Sequence, residues 1–310
     1  MTVSGPIAPE QMGTTLPHEH VLVDFAGAEV VTPDRYDREE VFATVLPYLQ
    51  RARALGVETL VEATPAYLGR DPLLLRRLSD ASRVRILVST GYYGAREDQH
   101  LPHHAFTDSA DSLAARWIRE WTSGIDGTGI RPGLIKIGVD TGPLSEVDRK
   151  LIQAAARTHL RTGLTIASHT GPAAGAMEQL AVLEEEGVDP VAWIWVHAQA
   201  EADSTFHVRA AKSGAWVSFD GLAPGEVERY VARVAFMRAE GLLHRVLVSH
   251  DAGWYHVGEP GGGAFRPYET LFTDFLPALR AQGFTDDEIH QLIVVNPAQA
   301  LTIRVRARKP

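Results

Sequence analysis

The chain contains no cysteine, so disulfides, thiolate metal ligands and a cysteine nucleophile are excluded, and any metal must be held by His, Asp, Glu or a modified side chain. It also lacks an excess of positive charge. Thirty Lys and Arg stand against 39 Asp and Glu, a formal net charge of −9, which argues against nucleic-acid and anionic-membrane partners, since both call for a basic face. No uncharged apolar run is long enough to span a bilayer, and Met1–Met12 has no basic segment followed by an apolar one. A cytoplasmic location is the expectation. No Gly-x-Gly-x-x-Gly follows the first apolar run, which disfavours an open nucleotide-binding sheet. What is present is the makeup of an ordinary globular protein, 45% hydrophobic and 22% charged over 310 residues, with no linker or low-complexity tract to divide it. One domain, residues 1–310, is expected.

Eight short apolar runs of strand length follow one another: His20–Phe25, Val57–Thr64, Val84–Thr90, Leu134–Asp140, Leu164–His169, Ala192–His197, Ala215–Asp220 and Arg245–Asp251. Between them lie segments with helical spacing, namely Arg38–Leu55, Asp71–Ser82, Ala110–Trp121, Ser145–Thr162, Ala173–Gly187, Ser204–Ser213 and Glu226–Gly241. Gly56, Gly163 and Gly187 precede strands where a helix C-terminal cap belongs. Eightfold alternation of strand and helix predicts an α/β fold, a single (β/α)8 TIM barrel. The longest irregular stretches, Gly91–Thr107 and Trp254–Arg266, would then be loops at the catalytic rim.

Polar residues interrupt these apolar strands at few places. His18-Glu19-His20 stands at the head of Val21-Leu22-Val23, and on a strand residues two apart share a face, so both imidazoles can reach one ion while Glu19 turns away. Lys136 interrupts the fourth strand, His169 ends the fifth, His197 ends the sixth and Asp251 follows the eighth. An ammonium buried in a strand costs several kcal/mol unless it is paired, neutralised or modified. Strand ends are where this fold gathers its chemistry.

In combination, Gly13-Thr14-Thr15-Leu16-Pro17-His18-Glu19-His20, Ile135-Lys136-Ile137-Gly138, Ser168-His169-Thr170-Gly171, Trp195-Val196-His197-Ala198 and Val248-Ser249-His250-Asp251 resemble the phosphotriesterase family of the amidohydrolase superfamily, from about Gly13 to Ala300. The resemblance implies two divalent ions, zinc first, with manganese, cobalt or iron as alternatives. His18, His20 and Asp251 would hold the buried ion, His169 and His197 the exposed one, and an N6-carboxylated Lys136 would bridge them. It further implies a bridging hydroxide attacking an ester or lactone carbonyl, with promiscuous phosphotriester hydrolysis, and Asp251 accepting the proton. Tyr93 would touch substrate beside the metals, with Tyr92 as the other candidate ring. A small ester, lactone or organophosphate is the implied substrate and a homodimer the implied assembly.

The chain also departs from that pattern. Phe219-Asp220-Gly221-Leu222 lacks the arginine that several lactonases of the family place after the matching aspartate, which puts homoserine lactones in doubt. The loop Trp254–Arg266, with Gly261-Gly262-Gly263, looks short for a substrate cover, so a more open or mobile pocket is expected, with Trp254 and Tyr255 lining it. His250 is expected to face away from the metals, and His103, His104 and His256 to be solvated. Two other functions fit the barrel: an aldolase using Lys136 as a Schiff-base nucleophile, which leaves the histidines and Asp251 unexplained, and a barrel that binds small molecules without catalysis.

Overall fold

The structure is a computed structural model and describes residues 1–308. In chain order its elements are β1 (Thr15–Glu19), β2 (Leu22–Val23), α1 (Arg38–Ala54), β3 (Thr59–Glu62), α2 (Pro72–Ser82), β4 (Arg85–Leu87), β5 (Ser89–Thr90), α3 (His103–Thr107), α4 (Ala110–Ser123), β6 (Leu134–Gly138), α5 (Glu146–Thr162) and β7 (Ile166–His169). Then come α6 (Ala173–Glu185), β8 (Trp193–Val196), α7 (Ser204–Ser213), β9 (Trp216–Phe219), α8 (Val227–Ala239), β10 (Val246–Val248), β11 (Tyr255–His256), α9 (Leu276–Ala281), α10 (Asp286–His290) and α11 (Asn296–Leu301).

β1, β3 and β4 pair in parallel, as do β5 through β10 in sequence order. β4 and β5 are halves of one barrel strand interrupted at Val88, whose carbonyl accepts from the Gly133 N–H at 2.8 Å. The first and last strands meet through single bonds, Asp251 N–H to the His18 carbonyl (3.2 Å) and His20 N–H to the Ala252 carbonyl (2.9 Å). The result is the (β/α)8 barrel that the alternation of apolar runs predicts.

Local chemistry sets the helix ends. Asp37, Asp71 and Asp203 cap α1, α2 and α7 by accepting backbone N–H groups, and Ser145 forms a capping box with Asp148 on α5. Gly163 and Gly187 take the left-handed conformation where their helices stop. Period-two alternation divides the strands between two cores. Ile135 and Ile137 of β6 pack outward toward the helices, whereas Val61, Leu87, Leu134, Ala167, Ile194 and Leu247 fill the barrel interior. Lys136 shares the inward face with Leu134 two residues below it, so the register of β6 itself carries the amine into the barrel.

Three expectations need correction here. The first barrel strand is Thr15–Glu19, not His20–Phe25; His18 lies in it and His20 one residue beyond its end. Its register slips between Leu16 and Glu19, which accommodates Pro17, a residue unable to donate to the ladder. The apolar Leu22–Val23 instead pairs with β11, and Gly253 bridges Arg266, so the loop after the eighth strand is tied down at its base rather than loose. His104 is half-buried, its Nε2 2.9 Å from the Tyr92 hydroxyl, while His256 stacks on Trp254 with ring centroids 5.8 Å apart. His103 is exposed. Among the described residues no helix is long and apolar enough to cross a membrane.

Candidate metal centre

At the C-terminal mouth of the barrel a cavity of about 220 Å³ is lined by His18, His20, Lys136, His169, His197 and Asp251 together with Phe25, Leu68, Tyr93, Arg96 and Trp254. The imidazoles crowd one another: ring centroids lie 5.4 Å apart for His18 and His20, 5.2 Å for His18 and His197, and 4.4 Å for His169 and His197. His20 Nε2 is 3.1 Å and His18 Nε2 3.4 Å from Asp251 Oδ1. One donor atom each from His18, His197 and Asp251 falls within 4.8 Å of the others.

Two observations mark this as a place for cations. His18 Nε2 and Asp251 Oδ1 are buried and have no hydrogen-bond partner, which costs on the order of 1–3 kcal/mol per group in a finished core. Lys136 is 2% exposed and its amine has no ion-pair partner among the described residues; burial lowers its pKa to about 8. An amine neutral for part of the time near pH 8 can react with carbon dioxide, and the resulting carbamate would be an anionic oxygen donor at the centre of the cluster. Burial, reinforced by His197 and Lys136, holds His169 well below the ordinary histidine range, in the neutral form that binds metals. At Asp251 burial works upward, and His18 and His20 beside it override that effect and keep the carboxyl ionised. The donor set therefore fits divalent ions that accept nitrogen and oxygen ligands.

The surrounding residues aim the donors. Asp220, at the end of β9 and fully buried, accepts from His197 Nδ1 at 2.7 Å and from the His197 backbone N–H at 3.1 Å, which turns Nε2 into the cavity. His20 Nδ1 lies 2.7 Å from Thr64 Oγ1, and Thr64 in turn donates to Glu62. Glu19 faces away from the cluster and binds Ser249 Oγ (2.8 Å), His250 Nδ1 (2.7 Å) and the N–H groups of His250 and Ala252. His250 thus lies outside the cavity, its Nε2 accepting from Leu271 N–H.

Backbone strain accompanies this placement. His197 (φ 60°), Asp251 (φ 52°) and Trp254 (φ 74°) are non-glycine residues in the left-handed region, a cost of about 1–3 kcal/mol each that is tolerated where geometry serves function. Gly91 (φ 110°) is required for another reason: a Cβ there would collide with the Lys136 carbonyl.

Of the aromatic candidates, Tyr93 faces the cavity, with its hydroxyl 3.2 Å from His169 Nε2 and its ring 5.5 Å from the Lys136 amine. Trp254 faces it as well, 4.6 Å from the His20 ring. Tyr92 and Tyr255 do not. Tyr92 turns to a separate cavity beside Tyr67 and the buried Arg70–Glu120 pair and packs edge-on against Trp117. Tyr255 is buried with its hydroxyl donating to Glu40. The Tyr93↔Gly138 bridge decides between the adjacent tyrosines by fixing which face points inward. Sequence reasoning missed Asp220, Thr64 and Glu62 as partners of His197 and His20, and Phe25 and Arg96 as cavity residues. A carboxylate closing an apolar strand was the available signal for Asp220.

Comparison with known proteins places these features in context. A model described as the phosphotriesterase family matches residues 1–301. The phosphotriesterase homology protein of Escherichia coli (strain K12) is 30% identical, over 93% of this chain and 97% of that protein. An aryldialkylphosphatase of Saccharolobus solfataricus is 26% identical, over 94% and 95%. A solved structure of a mutant PTE-like lactonase from Deinococcus radiodurans superposes with a TM-score of 0.86 at 30% identity, covering 97% of this chain and 99% of that one.

Proposed function

The chain belongs to the phosphotriesterase family, and from that membership we propose that it is a binuclear metal-dependent hydrolase cleaving a carboxylic ester or lactone, with weak phosphotriester hydrolysis as a side activity. The observation that carries this reading is the unpaired, buried Lys136 amine set among His18, His20, His169, His197 and Asp251. His18, His20 and Asp251 would hold one ion, His169 and His197 the other, and the carboxylated Lys136 both. Zinc is the first choice of metal. When bound, such ions lower the pKa of water toward neutrality and polarise a scissile carbonyl.

The protein's own groups supply the rest. Asp251, ionised and mostly buried at the mouth with part of its side chain reaching solvent, is placed to accept a proton and release it outward. The Tyr93 hydroxyl, beside His169, can orient the substrate oxygen. Phe25 and Trp254, stacked with centroids 5.6 Å apart, close one side of the cavity against water. A planar acyl group fits between these flat rings and the donor cluster more readily than a phosphorus carrying four substituents, which is why the carbonyl substrate is preferred here. The Schiff-base reading gives no task to Asp251 and the four histidines, and their convergence on Lys136 counts against it.

The test joins metal analysis with turnover. Protein prepared with zinc and bicarbonate is expected to bind two equivalents of metal and to hydrolyse at least one member of a panel of lactones, carboxylic esters, acyl amides and aryl phosphotriesters. Lys136→Ala should lose at least a thousandfold in kcat/KM. Well under two equivalents bound, together with unchanged activity in Lys136→Ala, would overturn the reading.

A further inference from the structure

We propose that the substrate carries a negatively charged group remote from the scissile bond, a carboxylate or sulfonate, and that Arg96 is the residue that binds it. The inference rests on the hydrolase reading of the same cavity and names the class of ester it would take. Beyond the donor cluster the lining is apolar, made chiefly of Phe25, Pro65, Leu68 and Trp254, and Arg96 is the one cation in it besides Lys136. Its guanidinium makes no hydrogen bond or ion pair with protein among the described residues; it rests on the Phe25 ring, 4.8 Å from the centroid. Arg96 is exposed at the rim of the cavity, and the one carboxylate in the lining, Asp251, is engaged by His18 and His20 and does not pair with it.

The loop is built to keep it there. Arg96, Glu97 and Asp98 are three successive non-glycine residues in the left-handed region, with φ of 65°, 59° and 59°. The strained turn is held by the Asp140 carboxylate, which accepts from Arg96 N–H at 2.7 Å and from Glu97 N–H at 3.0 Å. Asp140 is thereby engaged with backbone and leaves the Arg96 side chain free to meet a ligand. Stacking on Phe25 pre-orients the planar fork, and a fork of N–H donors matches the oxygens of a carboxylate or sulfonate. The protein's overall negative charge repels anions, so an anionic ester gains selectivity only from a local cation such as this one. An ester bound with its acyl carbon at the donor cluster and its body along Leu68 and Phe25 would bring a terminal anion to Arg96.

Two measurements test the assignment on metal-loaded protein. In the first, 4-nitrophenyl esters of dicarboxylic acids of four to eight carbons, and the corresponding ω-sulfonates, are compared with their neutral ω-carboxamides in wild type, Arg96→Asn and Arg96→Lys. Asn is chosen because it tolerates the left-handed conformation. The wild type should prefer the anionic member by at least tenfold in kcat/KM, mainly through KM. Arg96→Asn should lose that preference, its kcat/KM for the anionic ester falling to that for the neutral carboxamide, and Arg96→Lys should keep most of it. In the second, calorimetry compares binding of dicarboxylates and equal-length monocarboxylates, with the extra affinity of the diacid expected to vanish in Arg96→Asn. Turnover of esters without an Arg96-dependent preference for the anion would overturn the assignment and leave the hydrolase reading standing. No turnover of any ester, with diacid binding that depends on Arg96, would do the reverse.

Discussion

Asp220 shows how one side chain fixes the state of another. Burial pushes its carboxyl up, but the His197 and His18 rings outweigh that and hold it well below the usual carboxylate range. As an anion accepting from His197 Nδ1–H it selects the tautomer whose Nε2 lone pair faces the cavity. Asp220→Asn can keep a carbonyl oxygen for the three donors that share Oδ1, His197 N–H, His197 Nδ1–H and Gln199 Nε2–H, but it removes the charge and sets its amide N–H against the His197 N–H at the Oδ2 position. Loss of about 10- to 100-fold in affinity for the ion held by His197 is expected, read by competition with a chelator, with the circular dichroism spectrum unchanged. Equal affinity in the two proteins would show that Asp220 does not orient the ligand. At this scale the sequence conveys residue types and spacing well: His18, His20, Lys136, His169, His197 and Asp251 all reach one cavity. What it does not convey is partnership across strands. Asp220 meets His197, and Thr64 meets His20, only because neighbouring strand ends are brought level by the barrel. Tyr92 and Tyr93 are likewise indistinguishable until pairing with Gly138 fixes their faces.

The start of α5 sets two helix-end effects against burial. Asp148 completes the capping box, its Oδ2 accepting from Ser145 N–H at 3.2 Å, and a helix N-terminus favours a carboxylate. Yet the residue is 2% exposed and Oδ1 has no partner; burial, with Asp98 and Asp140 adding to it, raises the pKa to about 6 from the ordinary 3.8. The folded state thus binds this proton more tightly than the unfolded chain. Its contribution to stability is full below pH 3.8 and is lost as pH rises through about 6. Asp148→Asn keeps an acceptor for Ser145 and removes the charge. The variant should be more stable than wild type by about 1 kcal/mol at pH 7.5, allowing for solvent screening, and the gap should close as pH falls toward 4. Urea titrations at both pH values measure it, and a pH-independent difference would refute it. Elements were legible where pattern and chemistry agreed, as in α2, α5 and α7, whose caps and apolar faces coincide. The first strand was not, because its Thr, His and Glu are buried by hydrogen bonds and by their place at the barrel mouth instead of apolar packing, while the apolar run beside it serves a two-strand bridge to β11. Apolarity is a sign of burial and only indirectly of strand.

For the molecule as a whole, the seam between the first and eighth barrel strands matters most. Every other neighbouring pair of barrel strands is joined by a ladder or, at Val88, by a continuous strand. The seam has single backbone bonds, the four hydrogen bonds to Glu19, and the convergence of His18, His20 and Asp251. Ions held by those three residues would fasten it, because binding to the folded state alone adds stability of about RT ln([metal]/Kd), about 4 kcal/mol at a thousandfold excess over Kd. For a chain of 310 residues that corresponds to about 5–10 °C in Tm. Chelation should therefore lower Tm by that amount, and the accompanying rise in amide exchange should concentrate at residues 15–24 and 249–257 while β6–β8, joined by full ladders, stay protected. Glu19→Ala provides the complementary case. It leaves His18, His20 and Asp251 in place but strands the donors of Ser249, His250 and Ala252, so the same two segments should exchange faster even in metal-treated protein. Uniform loss of protection across all strands on chelation would show that the ions stabilise the barrel globally and that the seam is no weaker than the rest.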